Sequence, residues 1–492
     1  MDYTVIIGLE VHVQLLTESK MFSSCGTDFG LPPNTQTDPV SLGLPGTLPV
    51  MNRKAFDLAL KTALALGAEI APFTKWDRKN YYYPDLPKNY QISQYDLPFS
   101  KGGYLPIPLR KDGSGGGKCR LTRIHLEEDT GKLIHASGGW SEVDLNRAGI
   151  PLLEIVSEPE IHSPADARAC LEELRLTLRY LGVSDCEMQE GSLRCDANIN
   201  LHIHTPSGKV PTPIVEIKNL NSFRSVEKAL EYEVKRQLEQ FRETGKTIKD
   251  SPKTTRGWSD VDEVTFPQRE KETAADYRYF PEPDLLPVVV DEPWLRRIRE
   301  SICELPTARR ARFESQYGLS PYDANVLVEQ GADVAHYFEQ VASRSGQPKL
   351  ASNWIQQDVL RVAKEKKITL DQFPVPAESL ADLLHRVDQR EINTNQGREI
   401  LAAMIETGQS AQDIIAARGY GMVSDRDALA RIIADVIAAS PKAIDDLKGG
   451  KKKPEATKGW LRGQIMKATE GKADPALVVE LLEAKLQEIL GG

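Results

Sequence analysis

Acidic and polar residues recur at every second position of several apolar, strand-like segments, and this spacing marks where chemistry would be done. Glu10 and His12 alternate with Leu9, Val11 and Val13, so on an extended chain both point to one face. Asp196, Asn198 and Asn200 repeat the pattern against Ala197, Ile199 and Leu201, as do Glu216 and Lys218 a little further on. Glu154 sits inside the apolar run Pro151–Val156, where a carboxylate must either face solvent or be buried with a partner. The His125–Gly131 loop adds three adjacent acids. If these segments converge, they line a concave site with Glu10, His12, Glu127 or Glu128, Glu154, Asp196 and Glu216. So many carboxylates cannot all ionise together without a cation, because like charges raise one another's pKa. Oxygen-rich ligands with at most one imidazole suit Mg2+ or Mn2+ better than zinc. Such a site fits phosphoryl transfer.

Taken singly, a Glu on an alternating strand is more often a solvated outer-face residue, and a lone His12 a hydrogen-bonded structural group. Repetition on several strands is what favours a site. Other arrangements carry less. Lys118 follows a glycine-rich run, but Cys119 and Asp112 stand where a phosphate-binding P-loop needs Ser or Thr and its first Gly. His202 and His204 have no cysteine or histidine cluster near them, and no Gly-x-Ser-x-Gly arrangement supports serine hydrolase chemistry.

The elements that must position these residues fall into two textures. Through about residue 293 the chain is rich in Pro, Gly and alternating short strands, and reads as one α+β domain. Tyr104–Arg110 and Cys119–Leu126 flank a glycine-rich hairpin tip. One helix should open at Ser163-Pro164 and stop at Gly182, burying Ala167, Leu171, Leu174, Leu178 and Leu181. A second should run from about Ser225 to Gly245, with Val226, Leu230, Val234, Leu238 and Phe241 on its apolar stripe. Residues 294–407 and 408–492 read as all-helical linker and tail domains.

Bulk properties exclude several classes. A chain of 492 residues needs more than one core. No stretch approaches the roughly 20 apolar residues of a membrane span, and the first residues lack the basic start of a secretory signal. Six scattered cysteines without a Cys-x-x-Cys pair indicate a reduced, cytoplasmic setting. A formal charge of −9 argues against nonspecific coating of nucleic acid, while leaving room for a local basic patch.

Longer words in the sequence carry a family resemblance. Gly8–Gln14, Leu42–Val50, Lys79–Gln91, His125–Asp129, Leu153–Pro159, Arg194–Asn198, Glu216–Phe223 and Asp276–Asp284 resemble the GatB family, the B subunits of Asp/Glu-tRNA amidotransferases. So do Lys458–Lys467 and Gly471–Pro475 in the tail. The resemblance implies a cradle-like α+β catalytic domain, a helical domain and a tail that contacts tRNA. It implies a first magnesium set of His12, Glu128 and Glu154, and a second acidic set of Glu10, Asp196 and Glu216. Lys79, Lys88 and Lys218 are then candidate contacts for ATP phosphates or the substrate carboxylate. Lys458, Arg462, Gly463, Gln464 and Lys467, with Lys451–Lys453 and Lys472, become candidates for tRNA contact.

The implied activity uses ATP to convert the side-chain carboxylate of Glu-tRNA(Gln) or Asp-tRNA(Asn) to an acyl phosphate. Ammonia supplied by the partner amidase, the A subunit, then displaces phosphate, in a heterotrimer completed by a small C subunit. Many relatives carry cysteines for a structural zinc near the amino terminus, but only Cys25 remains here, so no zinc is expected. Phe266–Glu270 also departs from the family pattern, which puts local loop contacts in question. Two rivals stand beside this reading. One is a non-catalytic tRNA-binding scaffold of the same complex, which the intact acids argue against. The other is the related archaeal form, whose large inserted domain has no room here.

Overall fold

Alternating apolar and polar residues make Tyr3–Gln14 a strand, β1, that buries Leu9, Val11 and Val13 on one side and carries Glu10 and His12 on the other. The computed structural model describes the chain except residues 110–113, 136–137, 252, 269–276, 419, 421–425, 449–453, 470–472, 474 and 491–492. β1 lies mid-way across an eleven-stranded sheet. Its main companions are β2 (Gly115–Glu128), β3 (Pro151–Ser157), β4 (Leu193–Thr205), β5 (Ile214–Lys218), β6 (Lys253–Ser259) and β7 (Val264–Pro267). Their spatial order is β7-β6-β5-β4-β1-β3-β2, and short strands complete the β2 edge. Tyr104–Leu109 pairs with β2 as the expected hairpin, whose tip includes residues outside the described ones.

Three helices cover one face: α1 (Arg53–Ala65), α2 (Pro164–Tyr180) and α3 (Phe223–Thr244). β5 and β6 are parallel, and α3 is the long crossover that parallel neighbours require. Leu9, Val11, Ile155 and Ile199 of the sheet share one core with Phe56 and Leu60 of α1, Leu171 and Leu174 of α2, and Val226 and Leu230 of α3. Each such side chain contributes roughly 1.5–3 kcal/mol by leaving water.

α2 begins as expected, with Ser163 accepting from the Asp166 amide and Pro164 in the first turn. All five residues of its expected stripe are buried. α3 starts at Phe223 rather than near Ser225, because Ser222 makes the capping bond, and it ends at Gly245 with φ of 64°. Its stripe differs from expectation. After Val226 and Leu230 the buried positions are Glu233 and Gln237, while Val234, Leu238 and Phe241 are only half-buried.

The chain divides into two compact units, Met1–Ala308 and Arg309–Gly492. Helical texture begins near the expected position with α4 (Glu292–Glu300), but Trp294 and Ile298 join the core of the first unit. The first compact unit therefore continues through this helix to Ala308. The second unit is built of helices. Gly408, with φ of 70°, ends the helix Thr394–Thr407, and Ala411–Arg418 packs back against it. A separate core of Leu429, Ile433, Ala443, Leu461, Ile465, Val478 and Leu482 then unites the last four helices. A mixed α/β sheet followed by helices is the fold class expected from the sequence. Among the described residues no helix is long and apolar enough to cross a membrane.

Candidate active site

Residues directly opposed in antiparallel strands share a face. The registers set His125, Glu154, His12 and Arg194 side by side on β2, β3, β1 and β4. One step along, Glu10 opposes Asp196, and beyond that Asn198 opposes Glu216. A charged row thus crosses the sheet on the face away from α2 and α3. His12 Nε2 lies 3.5 Å from Glu154 Oε2 and 3.7 Å from Glu10 Oε1. His125 Nε2 lies 3.5 Å from the same Glu154 oxygen and 3.9 Å from Glu127 Oε2. Lys79, on the short strand Asp77–Asn80, brings its ammonium to 3.7 Å from Glu127.

Glu10, His12, Glu154, Asp196 and Glu216 all reach this face, with a different grouping from the one expected. Glu10 clusters with His12 and Glu154, while Lys218 pairs with Asp196 and stands 3.8 Å from Glu216. Glu128 does not join His12 and Glu154. The expected loop is strand through Glu128, so alternation turns Glu127 into the row and Glu128 to the other side. There Glu128 accepts from the Ile92 amide at 2.9 Å and pairs with Lys88, which draws Lys88 away from the row as well.

His125 and Arg194 were not singled out from the sequence. The signal for His125 was present, since His125-x-Glu127 is Glu10-x-His12 in reverse order, at the same spacing. It brings a second imidazole to a site for which only one was expected.

Electrostatics distinguish the two histidines. Burial pulls His12 down, but Glu154, Glu127 and Glu10 outweigh it and raise the imidazole above its ordinary value. For His125 burial wins over Glu154 and Glu127, so its pKa is lowered and a lone pair stays available at neutral pH. Burial pushes Glu154 up, yet His125, His12 and Lys79 hold it well below the usual carboxylate range. At the end of the row, Asp129 receives the Gln14 amide at 2.7 Å and lies 2.7 Å from Arg194 and 3.7 Å from Arg147. Burial would raise Asp129, and the two guanidinium groups bring it below its ordinary value.

Could these residues hold a divalent cation? Glu10, His12 and Glu154 form one group with ligand atoms within 4.8 Å of one another, and His125, Glu127 and Glu154 form a second. Three carboxylates dominate the joint donor set, which suits a hard cation. Asn198 Oδ1, on the same face, is buried with no hydrogen-bond partner among the described residues, an acceptor waiting for a donor or cation. The residues present fit the ion. Beside the row stand tyrosines: Tyr95 and Tyr279 stack at 4.0 Å, Tyr277 meets Tyr279 edge-on, and the Lys79 ammonium is 5.4 Å from the Tyr277 ring.

Fold and site together define a protein of the enzyme type, with a partly buried row of acids, imidazoles and a lysine on a sheet, followed by a helical half. Residues 5–296 match the family model described as the GatB/GatE catalytic domain, and residues 336–486 match the one described as a GatB domain. Three similar proteins are each named as the B subunit of an aspartyl/glutamyl-tRNA(Asn/Gln) amidotransferase. That of Rhodopirellula baltica is 52% identical over 482 residues, covering 97% of this chain and 96% of the relative. Those of Moorella thermoacetica and Carboxydothermus hydrogenoformans are 49% and 47% identical, each match covering 99% of this chain and 100% of the relative. The chain belongs to the GatB/GatE family, that of the amidotransferase B subunits.

Proposed function

We propose that this chain is the B subunit of a glutamine-dependent tRNA amidotransferase and that the row on the sheet is its ATP-dependent activating site. The observation that carries the reading is the convergence of half-buried Glu10, His12 and Lys79 with buried His125, Glu127 and Glu154, from separate strands, onto one patch.

The substrate is a glutamate or aspartate esterified to tRNA(Gln) or tRNA(Asn). Its side-chain carboxylate oxygen attacks the γ-phosphorus of ATP, the bond to the bridging oxygen breaks, and ADP leaves. Ammonia from the partner amidase then attacks the acyl carbon, the C–O bond to phosphate breaks, and a proton is released with the phosphate. Glu10, His12, His125, Glu127 and Glu154 would hold magnesium. When bound, that ion supplies positive charge against the repulsion between carboxylate and triphosphate. Lys79 and Lys218 border the row and are suited to orient phosphate or carboxylate oxygens. Lys88 instead fixes Glu128. Asp196 and Glu216 position Lys218, and Arg194 with Asp129 closes one end of the row.

The tail is proposed to contact tRNA. In the helix Pro454–Ala468, a Cβ at Gly459 or Gly463 would meet nothing within 4 Å among the described residues, so a partner's backbone has room to approach. Lys467 is exposed beside them, as is half of Trp460, which the sequence reading missed. Gln464 is half-buried on this helix. Lys458 and Arg462 face Glu483 at 4.0 and 3.6 Å, so RNA would compete with that carboxylate. Lys451–Lys453 and Lys472 lie outside the described residues. The complex is proposed to be a cytoplasmic heterotrimer of this chain with the amidase, its A subunit, together with a small C subunit.

The test is ATP hydrolysis and amide formation on Glu-tRNA(Gln) by the reconstituted heterotrimer carrying Glu154→Ala. Loss of both with tRNA binding intact is expected. Wild-type turnover overturns the reading and favours a scaffold.

A further inference from the structure

On the helix-covered side of the same sheet, at its β5–β6–β7 edge, is a cavity of about 310 Å3. Arg236, Arg256 and Lys246 line it with Gln237, Gln240 and Gln268, and among the described residues no carboxylate does. Three cations without an acid are unusual for a chain of net charge −9. The charge is not cancelled from below. Glu233, fully buried on α3, takes both Arg236 Nε and Nη2 at 2.8 Å, and Arg256 Nε lies 3.2 Å from it. One carboxylate therefore serves two guanidinium groups. Arg256 gives its Nε and Nη2 protons to Thr265, leaving Nη1 without a hydrogen-bond partner among the described residues. Burial, then the nearby Arg236, lowers Arg256 despite Glu233, the mark of a cation short of counter-charge. Lys246 is exposed at the rim with no ion pair among the described residues.

We propose that this pocket is a second binding site, separate from the row, that accepts a phosphate-bearing ligand. Arg236 is committed to Glu233 and Gln240, and the Gln237 amide to Ile199 and Glu233, so the donors left for phosphate oxygens are Arg256 Nη1, the Lys246 ammonium and the Gln240 and Gln268 amides. The volume falls at the lower end of small-ligand sites, which run from roughly 300 Å3 upward. A single phosphorylated group fits, either a free small molecule or a backbone phosphate of bound RNA.

The full-length chain is titrated with inorganic phosphate by calorimetry in EDTA, which keeps metal-dependent binding at the row out of the signal. Unacylated tRNA is measured in parallel by filter binding at several salt concentrations. Gln240→Glu combined with Lys246→Gln alters only exposed rim residues, so the fold is retained even if Arg256→Gln loosens the Glu233 cluster. A phosphate affinity at least tenfold weaker in the rim variant, with tRNA affinity unchanged, supports the site with a free ligand. Weaker tRNA binding, with a salt slope smaller by about one per lost contact, supports the site with an RNA phosphate. Glu154→Gln leaves both readings at wild-type values, so failure of the row and failure of the pocket are told apart. Rim and Arg256→Gln variants that bind phosphate and tRNA as wild type does would overturn the proposal.

Discussion

Both faces of the central sheet bury carboxylates, and they neutralise them by different means. On the helix-covered face Glu233 is held by two arginines, a fork that keeps its charge at any ordinary pH and has no lone pair to offer. On the other face Glu154 lies between His12 and His125, with Lys79 contributing from further off. An imidazole can surrender its proton and become a ligand. The difference separates a fixed acid from an exchangeable one. Glu233 is built to stay as it is, whereas Glu154 is built to change partners when a cation or substrate arrives.

The largest expected effect is on the fixed side. Glu233→Ala removes a buried carboxylate from two half-buried guanidinium groups and should cost about 3–5 kcal/mol, read as a lower denaturation midpoint, while turnover per folded molecule stays near wild type. If stability is unchanged, the two faces do not differ as argued. Glu154→Gln should do the reverse. It should lower kcat by on the order of 10²–10³-fold, comparable to removing one preorganised electrostatic contact, with the midpoint little moved. Equal losses of stability and activity would blur the comparison.

Asp129 lies between these cases, being on the row face yet held by arginines, and it should behave as a fixed acid. Its folded pKa lies below the ordinary value of 3.8, so its stabilisation is complete above about pH 4 and is lost as pH falls through the folded value. The stability gap between wild type and Asp129→Asn should therefore be flat near neutrality and close in acid, in urea titrations at stepped pH. A gap that widens in acid would show the sign to be wrong. Smallest is Gly463→Ala, which should stabilise the tail helix by about 1 kcal/mol, since a Cβ there meets no described residue within 4 Å, while weakening tRNA binding. A stabilised tail with unaltered tRNA affinity would remove that glycine from the interface.

Much of the row was legible because period two is unambiguous on a strand with one buried face. Glu10, His12, Asp196 and Glu216 followed from that alone. The choice between Glu127 and Glu128 did not, since it depends on how far β2 continues. Three polar residues in succession resemble a loop, yet β3 pairs Leu152 with Glu127 and Pro151 with Glu128, extending the strand to its last acid. Glu233 was hidden for another reason. It falls on the apolar stripe of α3, where an apolar residue would be expected, and its arginine partners come from α3 itself and from β6. The Arg236 pairing is local, at i+3, but the Arg256 pairing comes from another element and leaves no local pattern.

Manganese binding to the full-length chain, followed by electron paramagnetic resonance, tests the central claim most directly. If the row gathers a cation through the acids that alternation turns toward it, Glu127→Gln and Glu154→Gln lose the bound-ion signal and Glu128→Gln retains it. Retention by Glu127→Gln together with loss in Glu128→Gln would contradict the account.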